Sequence, residues 1–224
     1  SETVAYNWYI GLTILGVALG FYLSNVIYKP TFASLFILVA TLLYVYATSL
    51  KQIPVVGNII VAALLSVSIV IIAFFDILPA IDQDNRIRMK EAFSILMDYA
   101  IFAFIINLIR EIVKDLEDRD GDYQTGMNTL PIAIGIQKTK AIVGILTVIA
   151  VLLLAYYLKT SLYELDYTIY YALVFIIGPL VYFGAKLSIA KEKKEFHHLS
   201  MVLKGVLFFG ILSVAVIVYN LQNA

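Results

Sequence analysis

Long apolar stretches alternate with short polar ones along almost the whole chain. A helix that crosses a membrane needs about 20 mostly apolar residues. Stretches of that length occur at about 8–27, 32–50, 57–78, 92–113, 139–158, 167–187 and 200–220. The polar separators carry charged residues and prolines, which interrupt helices. The pattern predicts an all-α, polytopic membrane bundle with seven transmembrane helices, forming one membrane-embedded domain over residues 1–224.

Composition supports a bilayer as the solvent. Hydrophobic residues make up 62% of the chain and charged residues 14%, with a mean hydropathy of +0.91. Soluble domains carry charges at about a quarter of their positions. The formal net charge is zero, so no nucleic-acid partner is expected. The chain has no cysteine, which excludes disulfides, thiolate nucleophiles and cysteine zinc sites.

Basic residues predict the orientation of the bundle, because Lys and Arg are retained on the cytoplasmic side. The connections after the second, fourth and sixth predicted spans hold ten of them, and the opposite side holds five. This bias places the connection after the fourth span in the cytoplasm. The protein is therefore expected to be a multi-pass membrane protein with this connection on the cytoplasmic side.

That connection begins with residues 110–122, a segment rich in charged residues. It carries six acids and three bases. If the fourth helix continues through it, Glu111, Asp115, Asp118 and Asp122 fall on one face. Carboxylates four residues apart on a helix repel one another, so we expect a counter-ion to stabilise this face. Asp118 and Asp122 have the spacing to reach one Mg²⁺, which takes one or two carboxylates together with waters and substrate phosphates.

Two features beside the carboxylates extend the prediction to a diphosphate ligand. Arg110 and Lys114 supply fixed positive charge within two turns of the acidic pair. Gly121, Gly126 and the run Thr129-Leu130-Pro131 predict a tight loop that closes a small cap over the acidic face.

Other interpretations of the charged and histidine residues compete with the metal site. A solvated acidic helix end is the plain alternative. A calcium-binding loop fails, because Tyr123 stands where that loop needs Gly and Thr129 where it needs Glu. A transporter would show helices broken near the membrane midplane, whereas the third and fifth predicted spans are almost unbroken aliphatic sequence. His197 and His198 are adjacent and do not share a helix face, which indicates an interfacial and non-catalytic role.

The acidic segment resembles the second aspartate-rich motif of the UbiA-type intramembrane prenyltransferases. The likeness continues through Gly126 and the run Thr129-Leu130-Pro131-Ile132, and is strongest to the geranylgeranylglycerol-phosphate geranylgeranyltransferase branch. A second stretch is similar to the Tyr- and Lys-containing connection after the fourth helix of that family. Its matching residues are Leu43-Tyr44, Tyr46, Leu50-Lys51, Pro54 and Gly57-Asn58.

The resemblance implies a role for each matching residue. Asp118 and Asp122 would bind Mg²⁺ and diphosphate, with Asp115 adjacent to them. The phosphate contacts would be Lys51, Arg110 and Lys114, with Tyr46 and Asn58 as second-tier substrate contacts. Tyr46 and Lys51 are separated by one residue more than the family's usual YxxxK spacing, so Lys51 is the firmer assignment.

The resemblance also implies an activity. It is the Mg²⁺-dependent transfer of a polyprenyl group from an allylic diphosphate to a lipid or aromatic acceptor, geranylgeranylglycerol phosphate among them. The setting would be a prokaryotic cell membrane. The family has nine helices and a first motif, NDxxDxxxD, which does not occur in residues 1–224. The chain matches family helices 3–9, so we expect an N-terminally truncated sequence that is inactive alone. If the chain is complete, a transporter or a non-catalytic membrane protein is the alternative.

Overall fold

Helices account for the regular structure of the chain in the computed structural model, which describes residues 2–222. The α-helices in chain order are α1 (Glu2–Val26), α2 (Ala33–Thr48), α3 (Val56–Ile72), α4 (Arg86–Gln124), α5 (Leu130–Ile134), α6 (Ile136–Ser161), α7 (Asp166–Ala172), α8 (Gly178–Ile189) and α9 (Lys193–Gln222). Short 3₁₀ turns occupy Pro30–Phe32, Leu50–Gln52 and Leu78–Ala80. Two π-turns, Ala73–Ile77 and Leu173–Ile177, continue α3 and join α7 to α8.

Within residues 2–222, seven helical segments are long and apolar enough to cross a membrane. They are Thr3–Val26, Pro30–Thr48, Val56–Ala80, Arg86–Gln124, Ile136–Ser161, Asp166–Ile189 and Lys193–Asn220. The predicted all-α class and the predicted number of spans are confirmed. The protein is a multi-pass integral membrane protein.

The chain divides into two compact units. The first contains residues 1–51 and 63–101, and the second contains residues 52–62 and 102–224. Helices α3 and α4 each contribute one part to either unit. Whether the chain works as a single functional domain stays a prediction.

In the first unit, α1 packs against α2, and Gly20 of α1 lies at their contact. Ser24 is fully buried there and donates a hydrogen bond to the carbonyl of Gly20. The ring of Phe36 lies directly over Gly20, where a Cβ atom would overlap it. Phe36 also meets Phe75 edge-on, with 5.5 Å between the ring centroids. Gly20 therefore sets how closely α1 and α2 approach.

Replacing Gly20 with Ala is expected to destabilise the protein by about 1–3 kcal/mol, the usual cost of overpacking. The added methyl group would have to displace the Phe36 ring. Gly16→Ala is the matched control, because it lies one turn away and nothing lies within 4 Å of its added Cβ. The measurement is the thermal unfolding midpoint in detergent. Equal midpoints for the two variants would contradict this packing.

The second unit has a continuous apolar core built from four long helices. Its fully buried side chains include Ile109 and Val113 of α4, Phe183 of α8 and Leu203 of α9. Val143 brings α6 into the same core. Helix α9 packs on α7 and α8, α6 packs on α8, and α5 packs on α6. This core holds the C-terminal half of α4 in place.

Helix α4 is far longer than a membrane requires. Its 39 residues extend about 58 Å, whereas the hydrocarbon core of a bilayer is about 30 Å thick. No proline interrupts it, and its last turns contain the acidic segment. The condition for a carboxylate face, a helix that continues through residues 110–122, is therefore met.

The end of α4 differs in one detail from the predicted loop. Gly121 lies inside the helix, which ends at Gln124, so the loop does not start there. The chain reverses at Gly126, whose φ of +72° is a conformation that glycine adopts without strain. Leu130 and Pro131 begin the short helix α5. A compact connection therefore follows the acidic segment, one turn later than the glycine pattern indicated.

Candidate functional site

Four carboxylates share one face of the C-terminal half of α4. At 100° per residue, Glu111, Asp115, Asp118 and Asp122 fall within an arc of roughly 60°. Asp115 interacts electrostatically with the other three, all of like charge. Among the four, Asp115 is partly buried and the side chain of Asp118 is 43% exposed. The face thus concentrates negative charge. Asp115 is its partly buried part, and Asp118 is reached by solvent.

Asn58 is the neutral partner of this acidic face. Its amide Nδ2 donates a hydrogen bond of 2.9 Å to Oδ2 of Asp115. Asn58 is only 8% exposed and lies in the first turn of α3. A donor in this position orients one carboxylate oxygen of Asp115 and leaves the other available. The structure pairs Asn58 with Asp115, and its role as a second-tier substrate contact stays a prediction.

Arg110 is the first basic residue of this segment along the chain. Its Nη1 lies 2.7 Å from Oε1 of Glu111, and both side chains are less than one-fifth exposed. The Nε atom of Arg110 is buried without a hydrogen-bond partner. An unpaired buried donor costs about 1–3 kcal/mol, so this guanidinium has capacity for a further acceptor.

Two residues of α9 approach the acidic segment within the second unit. Nζ of Lys193 lies 3.5 Å from Oδ1 of Asp118, and this lysine side chain is 70% exposed. Nδ1 of His197 lies 2.9 Å from Oε1 of Glu117. The exposed lysine contact contributes little to stability, because solvent screens it. His197 therefore contacts the acidic segment rather than only the membrane interface, a link that the sequence did not indicate.

The remaining predicted phosphate and substrate contacts are Lys114, Lys51 and Tyr46. Lys114 is exposed on α4. Lys51 is exposed in the 3₁₀ turn Leu50–Gln52, and Tyr46 is partly buried in α2. Both of these belong to the first unit, whereas Asn58 and the acidic face belong to the second. Their roles as phosphate and substrate contacts stay predictions.

The donor set of the acidic face fits Mg²⁺. Carboxylate oxygens are hard ligands, and carboxylates that share one helix face are stabilised by a cation. Within residues 2–222, no three His, Cys, Asp or Glu side chains converge as a metal-binding group. Asp118 and Asp122 would hold such an ion through one or two carboxylates and leave its other positions to water and phosphate oxygens.

Lys140 of α6 braces the chain beside the acidic segment, a role the sequence gave no sign of. It is 7% exposed. Its Nζ donates to the carbonyl of Ser188 at 2.9 Å and to that of Ala190 at 2.8 Å. These carbonyls end α8, where a helix dipole favours a positive charge. Lys140 thereby fixes the turn that leads from α8 to α9.

Lys140→Met is expected to lower the stability of the protein by about 1–3 kcal/mol, because the carbonyls of Ser188 and Ala190 lose their donor. Lys159→Met is the control, since Lys159 lies on the same helix and is exposed. Thermal unfolding in detergent measures both. A midpoint for Lys140→Met that matches the control would mean that the two hydrogen bonds do not hold the turn.

A comparison with known protein families matches the model described as the UbiA prenyltransferase family over residues 1–206. The chain belongs to the UbiA prenyltransferase family. The predicted resemblance is confirmed, and the acidic segment of α4 lies within the matched part of this family member.

Individual curated proteins are also similar to this chain in sequence. Two are named digeranylgeranylglyceryl phosphate synthase. The protein from Korarchaeum cryptofilum is 30% identical over 216 residues, which are 95% of this chain and 69% of that relative. The one from Methanosphaera stadtmanae is 31% identical over 183 residues, covering 80% of this chain and 60% of that relative.

A third relative with this name, from Pyrococcus furiosus, is 43% identical over 112 residues, covering 49% of this chain and 35% of that relative. The UbiA family member described here thus spans only part of the length of the curated relatives it matches. No solved structure matches the chain.

Proposed function

We propose that the intact protein transfers a polyprenyl group from an allylic diphosphate to an acceptor within the membrane, with geranylgeranylglyceryl phosphate as the acceptor. The observation that carries this proposal is the carboxylate face of α4, positioned by Asn58, in a member of the UbiA prenyltransferase family. The names of the relatives support the acceptor. The bias in basic residues supports a site on the cytoplasmic side of the membrane.

The proposed reaction breaks the bond between C1 of the prenyl group and the diphosphate oxygen. A new bond forms between C1 and the hydroxyl oxygen of the acceptor, which loses its proton. Mg²⁺, when bound, supplies positive charge that stabilises the departing diphosphate. No nucleophilic side chain is required.

The residues of this chain bind and orient the diphosphate in this mechanism. Asp118 and Asp122 would hold the Mg²⁺ ion that neutralises the diphosphate. Arg110 and Lys114 contact its oxygens, and the unpaired Nε of Arg110 is one donor for that purpose. Asn58 holds the Asp115 carboxylate in one orientation. The apolar helices accommodate the prenyl chain and keep water from the reacting carbon.

A transfer assay with labelled substrate tests this function. Membranes that contain the intact protein are incubated with labelled geranylgeranyl diphosphate and geranylgeranylglyceryl phosphate. We expect labelled digeranylgeranylglyceryl phosphate and pyrophosphate, and neither product after chelation of Mg²⁺. Movement of an unchanged solute into vesicles, without either product, would favour a transporter instead.

A further inference from the structure

A pocket of about 530 Å³ opens in the second unit where α5 leads into α6 and α8 ends. Its apolar wall comes from Pro131, Ile134 and Ile136. Ile136 starts one membrane-spanning helix, and Ile189, beside the lining residue Ala190, ends another. The pocket therefore lies at the boundary between the membrane and water.

Three cations from three different elements line this pocket. They are Arg119 of α4, Lys138 in the first turn of α6, and Lys191 in the connection between α8 and α9. None of the lining residues is acidic. Within residues 2–222, neither lysine forms an ion pair. Arg119 pairs with Asp120 at 2.6 Å, but the Asp120 side chain is 82% exposed and screened by solvent.

Hydrogen bonds from Lys140 and to Glu195 hold the backbone beside the basic residues of the pocket. The buried ammonium of Lys140 fixes the end of α8 through two carbonyls, as described above. Oε2 of Glu195 accepts hydrogen bonds from the backbone N–H groups of Lys191 and Glu192 at 2.6 and 2.8 Å. The backbone that carries Lys191 is therefore held from both sides.

The start of α6 adds to the positive character of the pocket. Gly135 caps this helix with a φ of +86°, and no side chain caps the first N–H groups. The first turn contains no acid. These amides point in the N-terminal direction of α6, the end at which a helix dipole is positive.

We propose that this pocket binds the phosphate headgroup of an anionic membrane lipid. The three cations and the amides of α6 contact the phosphate oxygens, and the lipid chains lie along the apolar wall at Pro131, Ile134 and Ile136. A headgroup matches this combination of charge, apolar wall and location better than a wholly water-soluble anion. This lipid is distinct from the diphosphate proposed for the carboxylate face, so loss of diphosphate binding at that face would leave lipid binding here intact.

Calorimetric titration of the purified full chain in an uncharged detergent tests this site. The probe is dihexanoyl phosphatidate, with dihexanoyl phosphatidylcholine and inorganic phosphate as comparisons. Lys138→Gln and Lys191→Gln are each expected to weaken phosphatidate binding roughly fivefold, and the double variant by more, because each removes one charge contact. Lys194→Gln, an exposed lysine outside the pocket, should leave binding unchanged. Lys138→Arg should retain phosphatidate binding, which would show that the site needs a positive charge and not lysine in particular.

Each contrary result identifies a different failure of the proposal. Unchanged phosphatidate binding in the double variant would overturn the site. An equal loss in Lys194→Gln would reduce the effect to general surface charge. Equal affinity for inorganic phosphate would assign the pocket to a free anion, and equal affinity for phosphatidylcholine would remove the preference for anionic lipid. Binding needs no turnover, so an Asp122→Asn variant should still bind phosphatidate even if transfer is lost.

Discussion

Asp118→Asn and Asp122→Asn are each expected to lower prenyl transfer by the intact protein roughly 10²–10³-fold or more, the usual effect of removing one electrostatic contact to a charged transition state. Asn keeps the size of Asp but removes the negative charge that a divalent cation needs. The measurement is the initial rate of labelled product formation at saturating Mg²⁺. Both variants should fold normally, because Asp118 and Asp122 are not fully buried.

Asp120→Asn is the matched control for these two variants. Asp120 lies in the same segment, but it is 82% exposed and pairs with Arg119 rather than sharing the carboxylate face. We expect its activity to stay within about twofold of the unmodified protein, as for most exposed ion pairs. An equal loss of activity in all three variants would mean that total charge, rather than one helix face, controls the reaction.

Asn58→Leu is expected to lower transfer by about tenfold to a hundredfold, which corresponds to about 1.4–2.7 kcal/mol for the loss of a hydrogen bond to a charged group. Leu has a similar volume but donates no hydrogen bond, so the carboxylate of Asp115 loses the donor that orients it. Repulsion from Glu111, Asp118 and Asp122 then acts on it without compensation. The rate of product formation and the apparent affinity for Mg²⁺ should both fall.

Asn25→Leu provides the same substitution without the same consequence. Asn25 donates a hydrogen bond of 2.7 Å to the carbonyl of Phe21 in its own helix and is exposed. Transfer by this variant should be unchanged. If Asn58→Leu also kept its full rate, the hydrogen bond to Asp115 would have no part in positioning the acidic face.

Much of the fold follows from local properties of the sequence. The seven spans follow from the length of the apolar runs, because a bilayer fixes how long such a run must be. The continuity of α4 through residues 110–122 follows from helical spacing and the absence of proline. The carboxylate face then follows from the spacing of Asp115, Asp118 and Asp122, which the helix places on one side.

Contacts between distant residues could not be predicted in the same way. Asn58 and Asp115 are 57 positions apart, and only the packing of the second unit brings their side chains together. Lys140 counted merely as one basic residue of a cytoplasmic connection, although its ammonium is buried against Ser188 and Ala190. Periodicity describes one helix at a time, so it carries no information on which helices meet.

The position at which α4 ends was also not predictable from composition alone. Gly121 and Gly126 are equally plausible starting points for a loop by composition. Helix α4 nevertheless continues through Gly121, and only Gly126 takes a positive φ. A glycine near a helix end is tolerated within the helix at a cost of about 1 kcal/mol, and its neighbours decide where the turn is made.

The most direct test of the acidic face is the Mg²⁺ dependence of diphosphate binding to the intact protein. The ligand is a thiolodiphosphate analogue of geranylgeranyl diphosphate, which binds without reacting, and its dissociation constant is measured with and without Mg²⁺. We expect Mg²⁺ to strengthen binding at least about tenfold in the unmodified protein and in Asp120→Asn. The enhancement should disappear in Asp118→Asn and Asp122→Asn. An enhancement of the same size in all four proteins would contradict a metal and diphosphate site on this face of α4.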